Sequence, residues 1–187
     1  MNDVDKRTKN LAYDQLKKAK IKVKRYTKKS YAKQFYKSYI LQSSNSNFFI
    51  DAKLAISNDY LTINNKKKWI TNNNSRKVGN FLRSKYDCII STSKTINFDN
   101  PLLNCRIESL ENKSPAVIII DRLFKIKKNL KIFKNKSKKI FIFTHANNII
   151  KEKYFKKIGV NIIKLTRPTN SKNELTDVFF FFKATWF

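Results

Sequence analysis

Hydrophobic positions along this chain follow two spacings, one typical of helices and one typical of strands. Helical spacing predicts helices over residues 8–20, 29–41, 74–85, 148–158 and 171–178. Alternating or continuous apolar runs predict strands over residues 21–26, 48–57, 87–92, 114–121, 138–145 and 161–165. The later strands are apolar on both faces and alternate with helices. This order indicates an α/β fold, a single domain with a helix-flanked, mostly parallel central sheet.

The end of the chain, FFFFKATWF at 179–187, departs from this pattern because four consecutive phenylalanines have no amphipathic period. One interpretation is a final buried strand. The other, which we favour, is a reading-frame slip in a thymine-rich stretch, after which the residues do not belong to the original fold. The predicted organisation is a linker-like helix–strand–helix region at 1–42, a C-terminally truncated main domain at 43–178, and an aberrant tail at 179–187.

The chain is strongly basic, with a formal net charge of +28 from 41 lysines and arginines against 13 aspartates and glutamates. Such a field attracts phosphate backbones and would suit a nucleic-acid-binding protein. The lysines are scattered along the whole chain, however, and glycine occurs only twice. Compositional drift toward AT-rich codons explains this usage better, so nucleic acid is not the favoured partner. The field would still help to recruit phosphorylated ligands.

Hydrophobic residues make up 41% of the 187 residues, enough for one domain with a core. No apolar run is long enough to span a bilayer, and the polar N-terminus predicts no secretory signal. The two cysteines, Cys88 and Cys105, and the single histidine, His145, lack the spacing of a metal site. We expect a reduced, cytoplasmic protein with no metal and no membrane association.

A phosphate site in this chain has to be built from side chains. Its two glycines, Gly79 and Gly159, stand alone, so neither a Walker loop nor a GxGxxG loop is present. Arginine binds phosphate bidentately, as lysine cannot, and arginine is rare here. Arg83 ends a predicted helix, and Arg106 follows Pro101 by five residues, which makes them the best candidates. Taken alone, both are better explained as ordinary surface or ion-pair arginines.

A longer ordered pattern occupies residues 53–106. It consists of KLAIS at 53–57, WIT at 69–71, arginines at 76 and 83, DCIISTSKT at 87–95 and DNPLLNCR at 99–106. In this order the pieces resemble the reductase domain of the bifunctional riboflavin-biosynthesis deaminase/reductase family. VIIID at 117–121 corresponds to that family's following strand, and residues 3–23 are similar to its interdomain linker.

The resemblance implies a dihydrofolate-reductase-like fold and a defined reaction. The family's reductase uses NADPH to reduce the ribosyl group of 5-amino-6-(5-phosphoribosylamino)uracil to ribityl, and it tends to form homodimers. The residues implied for the NADPH site are Ala55, Trp69, Thr95, Asp99 and Arg122. Those implied for the phosphorylated pyrimidine substrate are Lys67, Arg83, Leu103 and Arg106. The catalytic proton donor is left open.

Several departures from the family's pattern bear on activity. Asn58 and Asp59 replace its Asp-Gly turn, and Lys67 stands where a serine is common. The family's Glu-Gly-Gly segment should follow near residue 180, where the phenylalanines begin, and the zinc-deaminase signatures HxE and PCxxC are absent. We therefore expect a partial reductase domain whose activity is open. The alternatives are a basic nucleic-acid-binding protein without enzymatic activity and a folded but inactive relative of the reductase.

Overall fold

The computed structural model describes residues 5, 8–9, 11–24, 29–43, 49–62, 69–165 and 171–186. The chain divides into two units, Met1–Ala52 and Lys53–Phe187. Within the described ranges, no helix has both the length and the apolar character needed to cross a membrane. The strands of the described sheet all belong to the second unit.

In the described part of the first unit there are three short helices, α1 at Leu11–Lys18, α2 at Lys29–Phe35 and α3 at Lys37–Ser43. The helix predicted at 8–20 is confirmed in its central part. The helix predicted at 29–41 forms as two helices, because Tyr36 interrupts it. α3 ends at Ser43, and residues 44–48 lie outside the described part of the chain.

Two strand predictions are wrong. Residues 21–24 of the strand predicted at 21–26 lie in no strand, and residues 25–26 fall outside the described ranges. Residues 49–57 of the strand predicted at 48–57 likewise pair in no ladder, and residue 48 is not described. Both segments have strand-like patterns, but a strand is stable only beside a partner and over a buried face. Side chains such as Ile50 and Leu54 are instead exposed.

The second unit is built on a four-stranded parallel sheet in the order β1-β2-β3-β4. The strands are β1 at Cys88–Thr92, β2 at Ala116–Ile120, β3 at Ile140–Thr144 and β4 at Asn161–Lys164. Each lies inside a predicted strand and is shorter by one or two residues at an end. β2 and β3 are buried almost throughout, which explains their continuous apolar sequences. The predicted helix-flanked parallel sheet is confirmed.

Among its described residues, the second unit also has four α-helices, α4 at Asn73–Arg83, α5 at Ser93–Asp99, α6 at Ile149–Lys157 and α7 at Ser171–Trp186. α4 begins where predicted because the Asn72 side chain accepts a hydrogen bond from the Ser75 amide at 2.8 Å. α5 was not predicted. Thr92, the last residue of β1, accepts from the Thr95 amide at 3.3 Å and so caps a helix that starts directly after the strand.

The core lies between the sheet and these helices. Ile96 of α5 and Phe155 of α6 are completely buried against strand residues such as Val117 and Ile142. The segment after β2 adds Ile126 and Ile132, which are also buried. This packing fixes where α5 and the loop after β2 begin, and both start at the carboxyl ends of strands.

α7 continues through the phenylalanine run, so the interpretation of residues 179–187 as a strand is wrong. Helical spacing brings Phe181 and Phe182 against β3: the ring centroids of Phe182 and Phe141 are 5.2 Å apart, and those of Phe181 and Phe143 are 5.6 Å apart. The pattern looked aperiodic because one face of the run covers the sheet while Phe180 is exposed. The frame-slip hypothesis is not tested by this packing and stays a hypothesis.

A buried carboxylate, Asp121, organises the loop after β2. Its Oδ1 accepts hydrogen bonds from Ser93 Oγ and the Lys125 amide, both at 2.8 Å, and its Oδ2 accepts from the Ile126 amide at 2.7 Å. The side chain thus connects α5 to the turn that follows β2. The hydrogen bond from the Ile126 amide is buried, so removing the carboxylate leaves a buried donor unsatisfied, which is costly.

We expect Asp121→Ala to lower the free energy of unfolding by about 2–4 kcal/mol, since it leaves buried donors unsatisfied. Urea denaturation followed by circular dichroism measures this directly. Asp87→Ala, at an exposed carboxylate just before β1, is the matched control and should change stability by less than about 0.5 kcal/mol. Equal losses in the two variants would contradict the capping role.

Candidate functional site

Polar contacts tie together the carboxyl ends of three strands. Ser93, directly after β1, donates to Asp121, directly after β2. The carbonyl oxygen of Arg122 accepts from Thr144 Oγ1 at 3.3 Å and from the His145 amide at 3.2 Å, at the end of β3. In open parallel α/β sheets, ligands bind outside the carboxyl ends of the strands. This edge is therefore the first candidate for a ligand site.

Three of the residues predicted for the cofactor lie along this edge. Thr95 and Asp99 are four residues apart on α5, so they share a face, and both are exposed while Ile96 faces the core. Arg122 is exposed on the loop after β2. A hydroxyl, a carboxylate and a guanidinium are the groups that hold ribose hydroxyls and phosphates of a dinucleotide. The donor set therefore fits a nicotinamide dinucleotide.

A lysine-rich cleft of about 480 Å³ follows Arg122 along the chain, lined by Lys125, Ile126, Lys127, Lys128, Asn129 and Lys151. The Lys151 ammonium donates to the Phe124 carbonyl oxygen. Burial lowers the pKa of Lys151, nearby Asp121 opposes that shift, and Lys128 adds to it. A cleft with this charge, beside Arg122, is suited to phosphate groups.

A second group of cations, the basic cluster of Arg83, Arg106 and Lys138, surrounds the loop at residues 102–106. Arg83, the last residue of α4, donates from Nη1 to the carbonyl oxygen of Asn104 at 2.9 Å. Lys138, just before β3, donates from Nζ to the carbonyl oxygen of Leu102 at 2.5 Å. Arg106 follows on the same loop. The cluster thus joins three parts of the chain that are far apart in sequence.

The cations of the basic cluster repel one another. Burial lowers the pKa of Arg83, and Arg106 lowers it further, with an opposing contribution from Cys105. Burial, and then the charge of Arg83, lower the pKa of Lys138 to about 8. Within the described part of the chain, no carboxylate forms an ion pair with any of the three. Arg83 and Lys138 are partly buried, whereas Arg106 is exposed. Partly buried cations without a counter-charge are unfavourable, so the cluster is suited to an anion such as phosphate.

The loop that carries Arg106 is held in a strained shape. Asn80 of α4 accepts from the Arg106 amide at 3.2 Å, which fixes the loop against the helix. Leu103 has φ of 50°, a left-handed conformation that costs a non-glycine residue about 1–3 kcal/mol. Its side chain packs against the core. Strain of this kind persists where the surroundings impose it, and it is common at ligand sites.

The basic cluster lies toward the amino ends of the strands, away from α5's start. The Cys105 amide on the same loop donates to Ser114 Oγ at 2.9 Å, just before β2. A cleft of about 490 Å³ at this end is lined by residues such as Lys113 and Lys139. None of the predicted ligand residues lines that cleft. The candidate site at this end is therefore defined by the charges of the basic cluster and not by the cleft.

The structure brings some of the predicted ligand residues together and leaves others apart. Arg83 and Arg106 come together at the 102–106 loop, which also carries Leu103, and Thr95 and Asp99 share one helix. The Trp69 ring lies 5.0 Å from the Arg76 guanidinium, at the start of α4. The contacts of the described residues do not bring Ala55 or Trp69 to either group. Lys67 lies outside the described residues.

Comparison with known proteins identifies the family of the chain. A family description, RibD C-terminal domain, matches residues 49–176, more than half of the chain. The chain belongs to this family. It is 35% identical over 128 residues to riboflavin biosynthesis protein RibD of Buchnera aphidicola subsp. Baizongia pistaciae, covering 60% of this chain and 34% of that protein. It is also 35% identical over 86 residues to 5-amino-6-(5-phosphoribosylamino)uracil reductase of Buchnera aphidicola subsp. Acyrthosiphon pisum, covering 40% of this chain and 42% of that protein.

Solved structures of RibD proteins share the fold. Acinetobacter baumannii RibD, form 1, matches with a TM-score of 0.67 at 18% identity, covering 99% of this chain and 50% of that one. A Thermotoga maritima deaminase/reductase matches with a TM-score of 0.57 at 20% identity, covering 89% and 52%. The predicted dihydrofolate-reductase-like α/β fold of the RibD C-terminal domain is thereby confirmed. This chain spans between a third and about half of the length of these relatives.

The motifs of the RibD C-terminal domain family did not point to Lys138, Asp121 or the lysine-rich cleft. Lysine is so common in this chain that no single lysine stands out from the sequence. Asp121 was noted only as the end of a strand. An acidic residue directly after a buried parallel strand was the available signal for a loop-organising role.

Proposed function

We propose that this chain is an NADPH-dependent 5-amino-6-(5-phosphoribosylamino)uracil reductase, which reduces the ribosyl group of that substrate to ribityl in riboflavin biosynthesis. The observation that carries the proposal is the basic cluster in a member of the RibD C-terminal domain family. Two of its cations, Arg83 and Arg106, are the residues that the resemblance implies for the substrate's phosphate end. The similarity to the 5-amino-6-(5-phosphoribosylamino)uracil reductase of Buchnera aphidicola subsp. Acyrthosiphon pisum supports the same reaction.

The basic cluster would act on the phosphate and not on the reacting carbon. Cations that hold the phosphate spend binding energy on orienting the ribose, so that its reacting carbon meets the hydride donor. The coenzyme, when bound, supplies the hydride. The chain's own part is to position both ligands and to neutralise the phosphate, which the uncompensated charges of Arg83 and Arg106 suit.

A reductase of this class requires a nicotinamide cofactor, and we propose NADPH in preference to NADH. Asp99 would bind a ribose hydroxyl, with Thr95 on the same face of α5. Arg122 and the lysine-rich cleft would bind the additional phosphate of NADPH, since a nearby arginine is the usual partner of that group. Ala55 and Trp69 would complete the site through the segments before α4.

Two further proposals concern where and how the protein works. Cys88 and Cys105 are free thiols, which suits a reducing compartment, and we place the protein in the cytoplasm. We propose a homodimer on the basis of the family resemblance alone. Sedimentation at several protein concentrations tests that assembly.

Binding of NADPH tests the cofactor assignment. We expect Trp69→Ala and Asp99→Ala each to raise the dissociation constant about tenfold, or ~1.4 kcal/mol, by removing one contact to the dinucleotide. Arg122→Ala should weaken NADPH more than NADH, because only NADPH carries the additional phosphate. Fluorescence titration of each variant with both coenzymes measures these differences.

Asp87→Asn, an exposed change at the amino end of β1, is the control and should leave coenzyme affinity unaltered. Unchanged affinity in both Trp69→Ala and Asp99→Ala would refute the site. Turnover of the phosphoribosyl substrate with NADPH tests the function itself, and NADPH binding without turnover would favour the inactive relative. Tight RNA binding that falls steeply with salt, with no NADPH binding, would favour the nucleic-acid-binding alternative.

A further inference from the structure

We infer that Lys138 is a third ligand of the substrate's phosphate, beside Arg83 and Arg106, and a determinant of specificity for phosphorylated over unphosphorylated ribosyl substrates. This inference rests on the proposed function for the identity of the substrate. The anion site itself is defined by the geometry of the basic cluster alone.

Lys138 and Arg83 contact the same short loop. The Lys138 ammonium bonds to the carbonyl oxygen of Leu102, and the Arg83 guanidinium bonds to that of Asn104, two residues further along the same loop. Both cations therefore contact one short stretch of backbone, and they are close enough for the charge of Arg83 to lower the pKa of Lys138. A single carbonyl bond leaves further ammonium donors of Lys138 for a ligand.

Holding the charged Lys138 side chain beside other cations costs free energy in the absence of an anion. Lys138 is partly buried, and the charged group that lowers its pKa is another cation, Arg83 at the end of α4. Arg106, on the 102–106 loop, acts in the same way on Arg83. The Cys105 thiol on that loop is the other titratable group beside Arg83. A lysine with an ordinary surface role would expose its charge to water, as Lys136 does in the segment before β3. A site that holds three cations together is stabilised by an anion, and a phosphate dianion supplies two charges.

Two pKa values set the pH dependence of phosphate binding at this cluster. The second pKa of a phosphate ester is about 6, so the ligand is a dianion above neutral pH. The pKa of Lys138 in the free protein is lowered to about 8. Binding should therefore be strongest between these values and should weaken as pH rises through 8, where Lys138 loses its proton. Arginine at the same position would stay charged throughout.

The probe is ribose 5-phosphate, compared with ribose, by isothermal titration calorimetry. We expect Lys138→Met to raise the dissociation constant for ribose 5-phosphate about tenfold at pH 7 and to abolish the weakening above pH 8. Lys138→Arg should retain tight binding and extend it to higher pH. Lys136→Met removes the same charge from an exposed position and should have a less than twofold effect. In turnover, Lys138→Met should raise KM with kcat within about twofold, as expected for a contact to the phosphate that is the same in ground and transition states.

A readout without ligand keeps the test independent of folding defects. The lowered pKa of Lys138 means that its charge destabilises the folded protein below pH 8, and this effect disappears as pH rises toward 10.5. Lys138→Met should therefore raise the unfolding temperature at pH 7 but not near pH 10.5, and added phosphate should stabilise the wild type more than the variant.

Each outcome bears on the inference. Equal affinity of Lys138→Met and wild type for ribose 5-phosphate, or no binding of ribose 5-phosphate by the wild type, would overturn it. A loss in kcat alone, or failure of Lys138→Arg to restore binding, would reduce Lys138 to a structural role. If ribose 5-phosphate binding depends on Lys138 but no reductase activity is found, the anion site stands and the proposed function fails.

Discussion

Phe182→Ala is expected to lower the free energy of unfolding by about 3–5 kcal/mol, the usual cost of truncating a buried phenylalanine. Phe182 is only 5% exposed, and its ring lies 5.2 Å from that of Phe141 and 6.2 Å from that of Phe143. Both partners belong to β3, an inner strand of the sheet. The substitution would open a cavity over the centre of the sheet, which the surrounding side chains cannot fill.

The same helix provides the matched control. Phe180 is two residues away and 59% exposed, so Phe180→Ala should change stability by less than about 0.5 kcal/mol. Chemical denaturation of the two variants, with the slope compared as well as the midpoint, separates the two sites. The pair distinguishes a phenylalanine run that packs as part of the domain from one that only prolongs a helix.

The result also bears on the frame-slip hypothesis. If residues 179–187 are dispensable, Phe182→Ala and Phe180→Ala should have equally small effects, and the aberrant-tail interpretation gains support. If the prediction holds, the run is part of the folded domain, whatever the history of the gene. The coding origin of the run would still be settled only by sequencing beyond it.

The parallel sheet was predictable because its signal is local. β2 and β3 are buried on both faces, so their sequences are continuously apolar and their positions followed to within two residues. The strand predicted at 48–57 failed for the opposite reason. Its sequence permits a strand, but pairing depends on a partner that the pattern cannot reveal. α5 was missed because its N-cap, Thr92, is also the last residue of a strand.

The candidate site was predictable only where residue type was rare. Arg83 and Arg106 stood out because the chain has few arginines, and the structure brings them together around the 102–106 loop. Lys138 belongs to the same cluster, yet it could not be singled out among so many lysines. Its distinguishing properties, partial burial and proximity to Arg83, exist only in the folded chain.

Arg106→Glu is expected to raise the KM for the phosphoribosyl substrate about 100-fold or more, or ~3 kcal/mol, while leaving NADPH affinity within about twofold. The substitution replaces an attractive charge beside the phosphate with a repulsive one. Arg106 keeps its loop in place through its amide, which donates to Asn80, and this backbone contact survives the change. The effect should therefore be electrostatic and local, and steady-state kinetics with separate coenzyme titration measures it.

Stability should change in the opposite direction to substrate affinity. Burial is the main cause that lowers the pKa of Arg83, and the charge of Arg106 lowers it further. Arg106 therefore disfavours the charged form of Arg83 in the folded protein. Removing that repulsion should leave the unfolding temperature of Arg106→Glu equal to or above that of the wild type. A variant that merely damages the fold would lose stability and affinity together, so the two readouts separate these causes.

Lys134→Glu controls for the overall field, because it makes the same change in net charge at an exposed position. Suppose that both variants raised KM equally and that added salt restored the wild-type KM. The substrate would then be responding to the net charge of +28 and not to the basic cluster. If Arg106→Glu weakened NADPH more than substrate, the division of roles between the basic cluster and the carboxyl edge of the sheet would be wrong. A large KM effect confined to Arg106→Glu is the result that direct contact with the phosphate predicts, because exposed charges that do not contact the phosphate are largely screened by salt.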